Sequence, residues 1–111
     1  MQKEYRIKKN EEIEKILKGK NSIANKNYII YIQKNHEANH FRLGISVSKK
    51  LGKAVVRNHE KRRIKHIFLG LKDQILPYDI FIIARNNSLN LSFEEISKDI
   101  KNLLEKKKVL N

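Results

Sequence analysis

The stretch FRLGISVSKKLGKAVVRNHEKRRIKHIFLGL, residues 41–71, changes its period once, and that change decides the fold. Residues 41–48 alternate strictly, setting Phe41, Leu43, Ile45 and Val47 against Arg42, Gly44, Ser46 and Ser48, as a strand with one buried face requires. From about residue 54 to residue 71 the spacing becomes helical: Val56, Ile64, Ile67 and Leu71 form one apolar stripe, expected to dock on a sheet. The other side of this helix is cationic. At about 100° per residue, Arg57, Lys61 and Lys65 fall within roughly 80° of one another, with Asn58 and Arg62 flanking them and small Ala54 inside the stripe. Over residues 49–65 the basic residues Lys49, Lys50, Lys53, Arg57, Lys61, Arg62, Arg63 and Lys65 stand against one acid, Glu60. A solvated helix face usually interleaves both signs, so a face that repels itself points to a polyanionic partner. Arginine forks and an asparagine amide suit phosphate oxygens and sugar or base edges, and the lysines at 49, 50 and 53 extend the patch along the preceding loop.

Upstream, the β-branched and aromatic run at residues 28–33 reads as a strand, and the polar residues 34–40 as a hairpin loop joining it to the next. Asn10 is expected to cap a short first helix whose apolar positions are Ile13, Ile16 and Leu17, and Gly19 to stop it. Downstream, Pro77 marks a turn, and residues 79–85 carry the run Ile80-Phe81-Ile82-Ile83-Ala84 of a strand buried on both faces. Ser92 and Glu95 have the spacing of a capping box, opening a final helix with Phe93, Ile96, Ile100, Leu103 and Leu104 on its apolar side. The order is αββαβα. It predicts an α+β (α/β sandwich) fold, a small mixed sheet packed with helices, its second and third strands joined through the long helix.

The 111 residues, without repeats or a linker, fit a single domain over 1–111. Lys and Arg number 25 against 12 Asp and Glu, a net charge of +13, which favours nucleic acid first and an anionic membrane surface second. A membrane-surface helix wants Trp or Phe beside its lysines, and a DNA-binding helix usually a helix-turn-helix without this sheet, so neither membrane nor DNA is expected as partner. With no cysteine, disulfides and thiolate zinc sites are excluded. Glu11, Glu12 and Glu14 crowd one helical turn, where attraction to the helix N-terminus accounts for them. His36 and His40 sit in a loop, and His59 and His66 lie on the basic helix facing solvent or RNA. No catalytic residue and no metal ligand is therefore assigned to this chain. Residues 1–9 are basic with no apolar signal region, and the apolar runs are far shorter than the ~20 residues that span a bilayer, so a cytoplasmic protein is expected.

The stretch from Leu43 through Lys49, Lys50, Lys53, Arg57 and Asn58 to Lys61, Arg62 and Lys65 resembles the signature of the bacterial ribonuclease P protein component, whose hallmark is the Arg-Asn pair on a basic helix. Residues 6–10 resemble the opening of that family, residues 22–25 its approach to the first strand, and residues 79–85 its buried third strand. The resemblance implies a left-handed crossover between the second and third strands, an exception to the usual hand. It implies that Lys49, Lys50, Lys53, Arg57, Asn58, Lys61, Arg62 and Lys65 contact a catalytic RNA. It implies further that a cleft between the first helix and the sheet, at Ile13, Leu17, Ile29 and Tyr31, holds the single-stranded 5′ leader of precursor tRNA, for endonucleolytic removal by magnesium ions held on the RNA. Arg6, Lys8 and Lys9 are placed to add charge to that cleft. Tyr31 is expected to stack on a leader base while Ile29, on the opposite face, packs inward. Ile13 and Leu17 stand where many relatives have Phe, which leaves apolar contact in place of stacking. Glu60 and Arg63 occupy positions that are usually apolar; either they pair with one another or the helix is rolled. The rival of the same composition is a ribosomal protein or RNA chaperone, which would not reproduce this order of motifs.

Overall fold

The computed structural model describes residues 3–111; Met1 and Gln2, at the head of the basic N-terminal stretch, lie outside the described residues. Helix α1 spans Asn10–Lys18, strands β1, β2 and β3 span Ser22–Ala24, Tyr28–Lys34 and Arg42–Val47, helix α2 spans Ala54–Gly70, strand β4 Tyr78–Ala84 and helix α3 Phe93–Lys106. The sheet order is β1-β2-β4-β3. Strand β2 is antiparallel to both β1 and β4, whereas β3 and β4, joined through α2, are parallel.

The sheet departs from expectation in two places. Residues 35–41 do not close a hairpin: they step over β4, which lies between β2 and β3. The reason is burial. The run Ile80–Ala84 is apolar on both faces and belongs in the centre, where the alternating β3 would bury Arg42 and Ser46. Crossing two strand spacings requires about 10 Å, which seven residues span easily. The second correction is β1, three residues long with two of them exposed, a pattern too short to register as a strand.

The pleat sorts the sheet into two faces. One carries Tyr28, Ile30, Ile32, Leu43, Ile45, Val47, Ile80, Ile82 and Ala84, packed in one core with Ile64, Ile67 and Phe68 of α2 and Ile96, Ile100, Leu103 and Leu104 of α3. On the other, Phe81 is buried with Ile7 and Ile16, flanked by Ile13, Leu17, Tyr31 and Ile83. Gly44 makes that second layer possible, since a Cβ there would lie 2.6 Å from the Phe81 ring.

The Ser92–Glu95 capping box forms as expected, with both reciprocal bonds in place. Asn10 is not the cap of α1: Lys9 occupies that position without a side-chain bond, and the left-handed residue past the helix is Lys20, not Gly19. Val56, at 42% exposure, and Phe93, at 48%, stay outside the core, while Phe68 is fully buried. Both exposed residues sit in the first turn of their helices, ahead of the first buried residue of each, Glu60 in α2 and Ile96 in α3. Among the described residues no helix is long and apolar enough to cross a membrane.

Candidate nucleic-acid interface

The face of α2 turned from the core is built by Arg57, Asn58, Lys61, Arg62 and Lys65. Gly52 opens it: its φ of +142° is a conformation that favours glycine, and its carbonyl accepts a 3.2 Å bond from Arg57 Nε, which holds that guanidinium against the loop. Asn58 and Arg62 are exposed, Lys61 and Lys65 half-buried. A groove of about 380 Å³ runs between Asn58, Lys61, Arg62, Lys65, His66 and Leu69. Lys49 and Lys50 stand exposed on the turn before α2, where Ser48 Oγ accepts from the Lys50 amide, and Lys53 is the residue preceding the helix.

Burial, and then the repulsion of Arg6, Lys61 and Lys65's neighbour Arg62, pull the Lys65 ammonium below the usual lysine range. Arg6 is present because the N-terminal segment runs beside β3, with the Ile7 amide donating 3.0 Å to the Leu43 carbonyl. Arg6 and Lys8 thereby join Lys61 and Lys65 around a second groove of about 280 Å³, floored by Gly44 and Ile45. The expectation had placed Arg6 and Lys8 with the cleft residues; the structure gathers them with α2.

Glu60 is the exception on this helix, 1% exposed on the docking side. Its Oε2 accepts 2.9 Å from Ser88 Oγ and its Oε1 lies 3.5 Å from Arg63 Nε, while Arg63 donates to the Leu91 carbonyl. Of the two alternatives left open, the pair is thus present. The Arg63 charge is used internally and ties α2 to the β4–α3 connection.

On the opposite side of the sheet, Ile13, Leu17 and Tyr31 converge beside Ile83 around Phe81. Ile29 does not turn inward. It lies two residues from Tyr31, so both point to the same face, and both are half-buried, whereas Tyr28, Ile30 and Ile32, which alternate with them, are buried in the main core. Lys9 is exposed at the start of α1. One end of this strip is closed by charge: Arg42 Nη2 contacts Glu12 at 2.6 Å and Asp79 at 2.7 Å, and Asp79 also accepts from Asn35. The bond to Asp79 and then that to Glu12 hold the Arg42 guanidinium even more firmly protonated than usual, against a cost of burial. Sequence reasoning missed this bridge, because Glu12 looked sufficiently explained by the helix terminus and its partner lies 30 residues away. His40 is likewise engaged, its ring stacked on Tyr5 at 4.1 Å.

The sequence model of the family described as Ribonuclease P matches residues 1–108. The ribonuclease P protein component of Macrococcus caseolyticus is 49% identical over 111 residues, covering 100% of this chain and 96% of that protein. Its Listeria welshimeri counterpart is 44% identical over 111 residues, covering 99% of this chain and 93% of that protein. Among solved structures, the Staphylococcus aureus RNase P protein superimposes with a TM-score of 0.90 at 45% identity, covering 96% of this chain and 98% of that one. The Thermotoga maritima RNase P protein gives a TM-score of 0.83 at 30% identity, covering 91% and 96%. With its fold, its basic helix and its nearly full-length match in agreement, the chain belongs to the family of ribonuclease P protein components.

Proposed function

We propose that the chain is the protein subunit of a ribonuclease P holoenzyme, binding a catalytic RNA and the 5′ leader of precursor tRNA so that the leader is removed by endonucleolytic hydrolysis. The observation that carries this reading is the separation of two surfaces by one sheet: a cationic helix face on one side and a half-exposed apolar strip on the other. Phosphates of a folded RNA need charge and arginine forks, supplied by Arg57, Asn58, Lys61, Arg62 and Lys65 with Lys49, Lys50 and Lys53 beside them. A single-stranded leader offers unstacked bases and suits an apolar floor, supplied by Ile13, Leu17, Ile29 and Tyr31 with Lys9 at the edge. Arg6 and Lys8 line the β3 edge between these surfaces and serve either strand's phosphates.

The reaction, hydrolysis of a phosphodiester, is expected to draw its chemistry from magnesium held by the RNA. This chain does not fit such an ion at the strip: the carboxylates there, Glu12 and Asp79, are committed to Arg42. What the protein does is bind and orient. Reconstitution with a bacterial ribonuclease P RNA tests the proposal: the holoenzyme should bind precursor tRNA more tightly than mature tRNA, and equal affinity would count against a leader site.

A further inference from the structure

A second concentration of positive charge lies away from α2. Lys18 is the last residue of α1 and Lys20 follows it, Lys106 is the last residue of α3 and Lys107 and Lys108 follow it, and a 2.5 Å bond from Lys107 Nζ to Asn21 Oδ1, across 86 positions of sequence, joins the two ends. Lys18, Lys20, Lys106 and Lys108 are exposed, and among the described residues none of the five makes an ion pair with a carboxylate. Lysine at a helix C-terminus answers the dipole, but each terminus carries only about half a negative charge. Two termini and Glu105 together leave this corner strongly positive.

The backbone adds an independent observation. Lys20 and Lys108 have φ of +54° and +59°, the positive-φ non-glycine residues among those described. After a helix that conformation usually falls to glycine or asparagine, so at both ends a lysine stands where a less strained residue was available. Strain of this kind gathers where a side chain is needed.

The position relative to the apolar strip indicates the ligand. Leu17, which flanks the strip, immediately precedes Lys18, and Ser22 pairs directly with Tyr31 across the β1–β2 ladder. A strand of RNA leaving Tyr31 over the β1 edge therefore meets Asn21 and Lys20 within about one strand spacing, roughly 5 Å. We propose that the lysines at the joined ends of α1 and α3 form a second phosphate-binding surface, which takes the single-stranded leader upstream of the strip. The inference rests on the leader-binding reading above.

The test uses reconstituted holoenzyme and two precursor tRNAs, one with a leader ending within the strip and one with a leader long enough to pass β1. Lys20→Asn with Lys108→Asn removes two charges while keeping a residue that tolerates positive φ. Wild-type holoenzyme should bind the long leader more tightly, and the variant should lose that gain, its log-log salt slope falling by about 1.4, at ~0.7 per single-strand phosphate contact. Affinity for the short leader should not change, and Lys20→Arg with Lys108→Arg should bind as wild type. The proposal is overturned by any of four results: no gain from the longer leader, an unchanged slope, equal loss on both substrates, or a loss in the arginine variant as large as in the asparagine one. Failure of the leader-binding reading itself would look different, as equal binding of precursor and mature tRNA by the wild type.

Discussion

Glu60 and Arg63 show what one buried charge demands of its surroundings. A carboxylate at 1% exposure is tolerable only while hydrogen-bonded and paired, and Ser88 and Arg63 supply both needs. Arg63→Ala, which also removes the charged hydrogen bond to the Leu91 carbonyl, should therefore lower unfolding stability by about 1.5–3 kcal/mol in urea titrations, the range for hydrogen bonds that involve a charged group. Adding Glu60→Leu should recover part of that loss, because it removes the unpaired buried charge while leaving only the neutral Ser88 hydroxyl without its acceptor. If the double variant is no more stable than Arg63→Ala, the pair is not what the single substitution disturbs. Tyr31 calls for a different readout. Its half-buried ring packs in one cluster with Ile13, Leu17 and Ile83, and Tyr31→Ala in the holoenzyme should weaken precursor binding by about 1–3 kcal/mol, one base stack, with mature tRNA unaffected. Equal loss on both RNAs would make Tyr31 a packing residue.

At the scale of elements, α2 is the part whose two faces were most legible in the sequence. Ile64 and Ile67 dock and Arg57, Lys61 and Lys65 point outward as the helical period required; α3 with its capping box and the central strand β4 were equally plain. What the sequence concealed depends on distance along the chain. The Arg42–Glu12–Asp79 bridge and the meeting of Arg6 and Lys8 with Lys61 and Lys65 join residues far apart, and no local period reports them. The hairpin misreading has the same origin: neighbouring strands in sequence were taken as neighbours in space, whereas the doubly apolar β4 took the place between them. Val56 was drawn into the docking stripe by hydropathy although it sits in the first turn of the helix and stays 42% exposed, whereas Glu60 lies on the docking side, at the position that is usually apolar. For the outward face, Arg57→Ala with Lys61→Ala should leave the fold intact and reduce the salt dependence of binding to ribonuclease P RNA. The loss of log-log slope should approach about 0.9 for each phosphate contact removed from a helical RNA, taking the duplex value. An unchanged slope would place the RNA contact elsewhere.

As a whole molecule the chain is a small body, with a radius of gyration of 13.0 Å, carrying a net charge of +13. Self-repulsion on that scale is relieved when phosphates neutralise it, so the field both draws in RNA and is lost on binding. Under the proposed function the sheet would keep two kinds of contact apart, folded RNA on the α2 side and single-stranded leader on the α1 side, with the chemistry left to the partner. The direct measurement is cleavage of a 5′-labelled precursor tRNA by purified protein alone and by protein reconstituted with a bacterial ribonuclease P RNA. The account predicts cutting at the junction of leader and mature tRNA in the reconstituted sample and none with the protein alone; metal-dependent cutting by RNA-free protein, abolished by a substitution in this chain, would contradict it.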